Sequence, residues 1–379
     1  MSVKNTVAEK LEEAFSFLKD NFLLQYLLRI ITDISQKMKD SLNIAVAGAT
    51  GYVGLELIKI LSKHPKVKIV YLCANKSAGK KIQTFDKRII KKNLPVISKV
   101  QNINWNKIEV LFTALPNGEA QKIAKIIPNH IKLIDLSADF RLKNSKLYKK
   151  WYGINHKSKE LINKAIYSVT EFSKKNLHNH RIISCPGCYP TSIQIPLIPL
   201  VKEKMIDLES IIIDSKSGYS GAGRGVHKAY AGKNLYESIK AYGVGFHRHN
   251  SEIEQEIKKI TKKNKFNITF TPHLSPMFKG ILSTIYIETK KSVNLKKINN
   301  IYKKTFKGKQ FVKIKKANTL ISTNDVINTN NCQISVCKTK YKNKYIILSA
   351  IDNLIKGGSG QAVQNMNIKF NLPETRGLV

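Results

Sequence analysis

The seven-residue stretch Gly48-Ala-Thr-Gly51-Tyr-Val-Gly54 constrains this chain more than any other. It follows the short apolar run LNIAVA and precedes LELIKILSKHP, whose apolar residues recur at helical spacing up to Pro65. Strand, glycine turn and helix together make one βα unit. The glycines permit a tight turn and let a pyrophosphate come close enough to rest on the N–H groups that open the helix. A tight turn without a ligand would use the same residues, so the flanking strand and helix give the fingerprint its meaning. Gly48, Thr50, Gly51, Tyr52, Val53 and Gly54 are therefore the expected dinucleotide contacts. At the end of the next apolar run, where an acidic residue would hold the ribose hydroxyls, the chain reads Asn75-Lys76-Ser77. Lys76 and Ser77 suit a 2′-phosphate, and the expected cofactor is NADP(H).

Further apolar runs, VKIVYLCAN, EVLFTALP, KLIDLSA and RIISCPG, each end in a polar or Gly/Pro break, with helical stretches between several of them. That alternation predicts an α/β fold with a doubly wound, Rossmann-like parallel sheet. After about residue 190 the runs lengthen (IIIDSKSGYSGAGRG, NITFTPHL, ILSTIYIET, YIILSAI), which predicts a second, α+β domain on an antiparallel or mixed sheet. The expected division is 42–187 with 353–379 for the NADP-binding domain and 188–352 for a catalytic and oligomerisation domain, the tail from Asp352 reading as helix. Residues 1–41 carry six basic and six acidic residues and an amphipathic rhythm in Leu11, Phe15, Leu18 and Phe22. They read as a helical N-terminal extension, since a transit peptide is poor in acids.

The net charge of +39 over 379 residues invites a nucleic-acid partner. The charge is instead dispersed: 58 of the 65 cations are lysines spread through almost every segment. No nucleic-acid role is expected. No apolar run reaches the roughly 18 residues a membrane span needs, and the five scattered cysteines are odd in number, which suits a reducing compartment and a cytoplasmic location. Arginine is rare here, and three of the seven arginines, Arg141, Arg224 and Arg248, stand in the distinctive segments SADFRL, GAGRG and FHRHN. A planar fork is what lysine cannot imitate at a carboxylate or phosphate, so these three are the candidate substrate ligands.

SCPGCYPT at 184–191 holds two thiols. A dithiol couple would need a redox domain around it, and a zinc site would need a second ligand pair that Cys332 and Cys337 do not supply. No metal is expected. A single nucleophile fits best, with Cys188 at a helix N-terminus where the dipole favours thiolate. Pro196 and Pro199 are expected to shorten or kink that helix. HRHNSEIEQ at 247–255 offers His247 and His249 as acid/base candidates.

Taken with ALPNG, LSADFRL, WYG, SGYSGAGR, TPHLSPMFKGI, DNLIKGGSGQAVQNMN and PETRGL, all in order from residue 42 to the C-terminus, these motifs resemble the N-acetyl-γ-glutamyl-phosphate reductases of the semialdehyde dehydrogenase superfamily. The resemblance implies Cys188 as nucleophile, a histidine of HRH as acid/base, with His247 the expected one of the two, and Ser217, Gly218 and Asn353 near the cofactor, the last in a tail segment beside the nicotinamide. It implies NADPH-dependent reduction of an acyl phosphate to an aldehyde through a cysteine thioester, in a homodimer or homotetramer. It places Cys185 as a bystander where the family usually has Asn. Asn117, Thr170 and Lys279 likewise stand where His, Pro and Arg are usual. Residues 1–37 have no counterpart in the resemblance, and Met38 begins a stretch of the usual family starting length. An aspartate-semialdehyde or aminoadipate-pathway enzyme would share thiol, histidine and cofactor, and a dinucleotide sensor would share the glycine turn alone.

Overall fold

In this computed structural model residues 41–91, 93–224, 237–262, 266–290 and 293–378 are described. The expected extension at 1–41, with Met38, lies outside them except for its last residue. LNIAVA forms β1 (Leu42–Ala47), the glycine turn leads into α1 (Tyr52–Leu61), and β2 (Val67–Cys73) follows. β3 (Ile97–Ser98), β4 (Val110–Thr113), α2 (Glu119–Ile126), β5 (Lys132–Asp135), α3 (Ser145–Tyr152), α4 (Lys159–Ile162), β6 (Ala165–Tyr167), α5 (Thr170–Ser173) and β7 (Ile182–Ser184) complete the first half. The seven strands lie in the order β3-β2-β1-β4-β5-β7-β6. The pairings β2·β3, β1·β4, β4·β5, β5·β7 and β6·β7 are parallel. Strand order reverses at β1, so the crevice where ligands bind in open α/β sheets opens over the glycine turn. Ile44, Ala45, Val46 and Ala47 are buried on both faces, as a central parallel strand requires.

α6 (Cys188–Lys202) begins at the second thiol. After it come β8 (Ile211–Gly218), β9 (Lys240–Ala241), α7 (Asn250–Thr261), β10 (Ile268–Ser275), β11 (Ile281–Glu288), α8 (Leu295–Thr305), β12 (Val312–Ile314), β13 (Cys332–Lys338) and β14 (Lys344–Ile351). These strands form a second sheet in the order β12-β13-β14-β11-β8-β10-β9. It is mixed: β8·β10 and β12·β13 are parallel, and β8·β11, β11·β14, β13·β14 and β9·β10 antiparallel. Alternation sends Ile211, Ile213, Ile281, Ile285 and Ile287 inward against α6, α7 and α8, while Ile212 and Tyr286 face out.

α6 is not shortened by its prolines. It runs fifteen residues without a break, with Pro196 and Pro199 inside it. Every residue from Tyr189 to Val201 is buried, and that packing offsets the roughly 3 kcal/mol an interior proline costs. Tyr302 from α8 donates its hydroxyl to the Pro196 carbonyl at 2.9 Å. The tail also departs from a plain helix. A π-helical turn at Ile355–Ser359 precedes α9 (Gly360–Lys369), which packs on α1, β5 and α5 of the parallel-sheet half.

Candidate active site

Gly48 has φ +92°, and a Cβ there would collide with the Ala114 carbonyl at the end of β4. A Cβ on Gly54 would strike the Gly48 carbonyl, so these two glycines close strand, turn and helix upon one another. Gly51, the residue before α1, differs: its nearest neighbour would be Gly48 O at 3.6 Å, which leaves its outer side open to the crevice. The Gly48 and Ala49 N–H groups both donate to Cys73 O (2.9 and 3.1 Å), tying the end of β2 to the turn. Lys76 and Ser77 follow in a short 3₁₀ turn, Lys76 exposed. An open helix N-terminus with a cation beyond the neighbouring strand fits a phosphorylated dinucleotide.

Cys188 is the first residue of α6 and is half-buried, while Cys185 is fully buried. Burial pushes the Cys188 thiol up to about 11, against the pull of Arg141 and the Tyr189 N–H. Cys185 is pushed up to about 12 by burial, and its sulfur accepts from Asn365 Nδ2 at 3.6 Å. Both thiols are protonated at neutral pH, so the nucleophile among them needs a base. Gly357, in the π-helical turn, lies so close to Cys188 that a Cβ there would come to 2.7 Å from the Cys188 Cβ.

The two histidines occupy a turn entering α7. The His249 N–H donates to His247 Nδ1 at 3.3 Å and the rings meet edge to face with centroids 4.7 Å apart. Their surroundings differ. His249 is buried over Gly187, the residue before the thiol, where any Cβ would strike its ring. His247 packs among Tyr189, Tyr242 and Phe270. Burial, then His247, Arg141 and Arg248, holds His249 well below the ordinary histidine value, and burial with Arg248 brings His247 down to about 4. Both rings are neutral near pH 7.

Beneath His249 lies Glu252, fully buried, which sequence reasoning passed over. Its carboxylate accepts from Arg141 Nη1 (3.0 Å), Tyr167 Oη (3.0 Å) and the Gly187 N–H (2.9 Å), and stands 3.9 Å from His249 Nε2. The available signal was its place three residues after His249, in the first turn of α7, on the same helix face. Arg141 also donates through Nε to Cys185 O (2.9 Å) and through Nη2 to Leu136 O (3.0 Å). Each of its three nitrogens makes a hydrogen bond to protein, which braces the thiol loop, and the side chain also lines a cavity at Cys188.

Two cavities meet at Cys188, Gly221, Arg248 and His249. The smaller, about 200 Å³, runs past Val53, Asn117, Asn353 and Gly358 toward the glycine turn. The larger, about 450 Å³, is walled by Trp151, Tyr189, Ser217, Tyr242, His247 and Leu274. Arg248 lines both, with its guanidinium 6.0 Å from the Tyr152 ring. Ser217 thus faces the larger cavity. Gly218 is enclosed by the Phe278–Lys279 backbone, and Asn353 accepts from the Gly280 N–H (2.7 Å) and donates to Ser220 Oγ (3.0 Å). Arg224 lines neither cavity; its guanidinium lies 5.3 Å from the Tyr52 ring.

Residues 43–180 match the family described as "Semialdehyde dehydrogenase, NAD binding domain" and residues 188–353 that described as "Semialdehyde dehydrogenase, dimerisation domain". The chain is 39% identical over 351 residues to a probable chloroplastic N-acetyl-gamma-glutamyl-phosphate reductase of Arabidopsis thaliana, covering 93% of this chain and 87% of the relative. It is 40% identical to the N-acetyl-gamma-glutamyl-phosphate reductases of Ehrlichia chaffeensis (89% of this chain, 97% of the relative) and Halothermothrix orenii (89% and 98%). Among solved structures, aspartate semialdehyde dehydrogenase II of Vibrio cholerae superposes with a TM-score of 0.66 at 16% identity, over 86% of this chain and 98% of that one. The NADP-bound Candida albicans aspartate semialdehyde dehydrogenase gives 0.64 at 18%, over 87% and 99%. At that identity the likeness is one of fold.

Proposed function

The chain belongs to the N-acetyl-gamma-glutamyl-phosphate reductases of the semialdehyde dehydrogenase family, and from that premise we propose that it reduces N-acetylglutamyl 5-phosphate to N-acetylglutamate 5-semialdehyde and phosphate in arginine biosynthesis. The observation that carries this reading is the position of Cys188, where a cavity from the dinucleotide turn meets a cavity large enough for a small acidic substrate, beside a buried neutral imidazole.

His249 takes the thiol proton as Cys188 Sγ attacks the acyl carbon. A protonated thiol and a neutral ring make this general-base step necessary, because thiolate is scarce beforehand. The tetrahedral adduct expels phosphate, which receives that proton, and a thioester remains on Cys188. Gly48, Thr50, Gly51, Tyr52, Val53 and Gly54 would hold NADPH, with Lys76 and Ser77 toward its 2′-phosphate, and when bound it would supply the hydride that reduces the thioester carbon. The resulting thiohemiacetal on Cys188 collapses to the aldehyde, and His249 returns a solvent proton to the released sulfur. Arg248 grips the substrate's phosphate or carboxylate, since its fork reaches both cavities. His247 lines only the larger and serves binding. Glu252 and Arg141 are positioning residues: they fix Gly187, and through it the thiol, against His249.

The division into 42–187 with 353–379 for the cofactor and 188–352 for catalysis and pairing accords with the two sheets and with α9 lying on the first. We place the enzyme in the cytoplasm, as a homodimer or homotetramer. Ile212 and Tyr286, 50% and 41% exposed on the outer face of the mixed sheet, give a second copy something to cover. Among the described residues no helix is long and apolar enough to cross a membrane.

The test is NADPH oxidation with N-acetylglutamyl phosphate against aspartyl phosphate, together with phosphate-dependent NADP⁺ reduction by the acetylated semialdehyde. Turnover confined to the acetylated pair is expected. Faster turnover of aspartyl phosphate would move the chain to another branch of the family, and dinucleotide binding without turnover of either would make it a sensor.

A further inference from the structure

In a chain that places lysine almost wherever a cation is needed, most of the described arginines have a visible task. Arg88 forks onto Asp86, Arg181 points at the carbonyls of Ala124, Ile127 and Pro128, and Arg141 pairs with Glu252. Arg248 stands at the thiol and Arg376 is exposed near the C-terminus. Arg224 is left.

Its guanidinium is held by two rings of the parallel-sheet half, 5.3 Å from the Tyr52 centroid and 5.9 Å from that of Phe85. Tyr52 is the first residue of α1, directly after the glycine turn, and Phe85 follows the 3₁₀ turn Ile82–Thr84 beyond the Lys76 loop. Contact with ring faces leaves the N–H edge of a guanidinium for an acceptor. The Arg224 Nε is buried and has no acceptor among the described residues. A buried donor left unmade is costly, and an anion arriving at this point would satisfy it with a charge-assisted bond. Arg224 belongs to the segment after β8, so it reaches from the mixed-sheet half over the opening of α1.

Given the dinucleotide site set out above, on which this inference rests, we propose that Arg224 is a ligand for a phosphate of the bound cofactor and not for the substrate. Two phosphates qualify, the pyrophosphate at the α1 N-terminus and the 2′-phosphate toward Lys76. Both are phosphoryl oxygens presented to a planar fork.

Dissociation constants for NADPH and NADH, measured by fluorescence titration of the free enzyme without substrate, test this. Arg224→Met keeps the stem packed between the rings and removes the fork, and Arg224→Lys keeps the charge. Arg224→Met weakens NADPH roughly ten- to hundredfold, as loss of one charge-assisted contact does, and Arg224→Lys recovers part of it, with melting temperatures near that of the unmodified chain showing that both variants fold. An equal loss with NADH assigns the pyrophosphate; a loss confined to NADPH assigns the 2′-phosphate. Unchanged affinity for both dinucleotides overturns the proposal, whether or not KM for the acyl phosphate rises. If the unmodified chain binds neither dinucleotide, the cofactor reading itself has failed.

Discussion

Cys185 and Cys188 are three residues apart, yet one is buried at the edge of the smaller cavity and the other is half-buried where both cavities meet. Cys188→Ser is expected to lower kcat by roughly 10³-fold or more, as loss of a nucleophile does, whereas Cys185→Asn, which offers Asn365 a polar partner in place of sulfur, keeps most activity. Steady-state rates of the two variants decide it; similar losses would point to a coupled dithiol. The histidines divide in the same way. His249→Ala should cost about 10²–10⁴-fold in kcat, the usual worth of a general base, and His247→Ala should mainly raise KM. In the unmodified enzyme kcat/KM falls as pH is lowered, because protonation removes the base, and the midpoint lies below the ordinary 6.5 since burial depresses His249. A midpoint at or above 6.5 would contradict that environment. Sequence reasoning favoured His247 because it comes first in HRH. The turn into α7 reverses the order of approach, and only the fold places His249 on Gly187.

At the scale of elements, the strand, turn and helix at 42–61 were legible because their residues interact locally, through glycine conformation and apolar periodicity. The strands of the mixed sheet were legible as runs but not as neighbours, since pairing joins residues far apart in sequence. α6 defeated local rules: its prolines argue for a break, and burial on every side keeps it whole. The π-helical turn before α9 was read as plain helix, although Gly357-Gly358 marks the close approach of backbone to the thiol. Gly357→Ala forces its methyl against the Cys188 Cβ and should lower kcat about 10²-fold, the effect of an ångström's misplacement, with slower alkylation of Cys188 by iodoacetamide as the independent check. At the end of β2, Lys76→Asp should erode or reverse the preference for NADPH over NADH. An unchanged ratio of dissociation constants would place the 2′-phosphate elsewhere, Arg224 being the nearest alternative.

At the scale of the whole molecule, four buried or half-buried histidines, His64, His156, His247 and His249, are held below their ordinary value, chiefly by burial. A histidine whose folded value is depressed binds fewer protons folded than unfolded. Its contribution is therefore constant above pH 6.5 and turns against the fold as pH drops below it, by up to about 1.4 kcal/mol per pH unit for each group. Asp135, pushed up to about 6 by burial and by Asp139, works the other way for one proton. The melting temperature should hold between pH 7 and 8 and fall steadily from pH 6.5 toward 4; a flat profile would mean these rings are solvated.

The sequence by itself determined the fold class, the dinucleotide turn, the thiol and the short set of arginines and histidines around the chemistry, because each is written in contiguous residues whose conformations or spacings are locally constrained. Even substitutions away from the family's usual residues, such as Thr170 and Cys185, are explained only once both are found against Asn365, at 2.8 and 3.6 Å. Which candidates come together, and against what partners, was decided by tertiary structure. Glu252 gathers Arg141, Tyr167 and Gly187 from three separate segments, and His249 lies over Gly187, the residue before Cys188. Burial and hydrogen bonding between distant segments set that arrangement, and neither has a local signature in the chain.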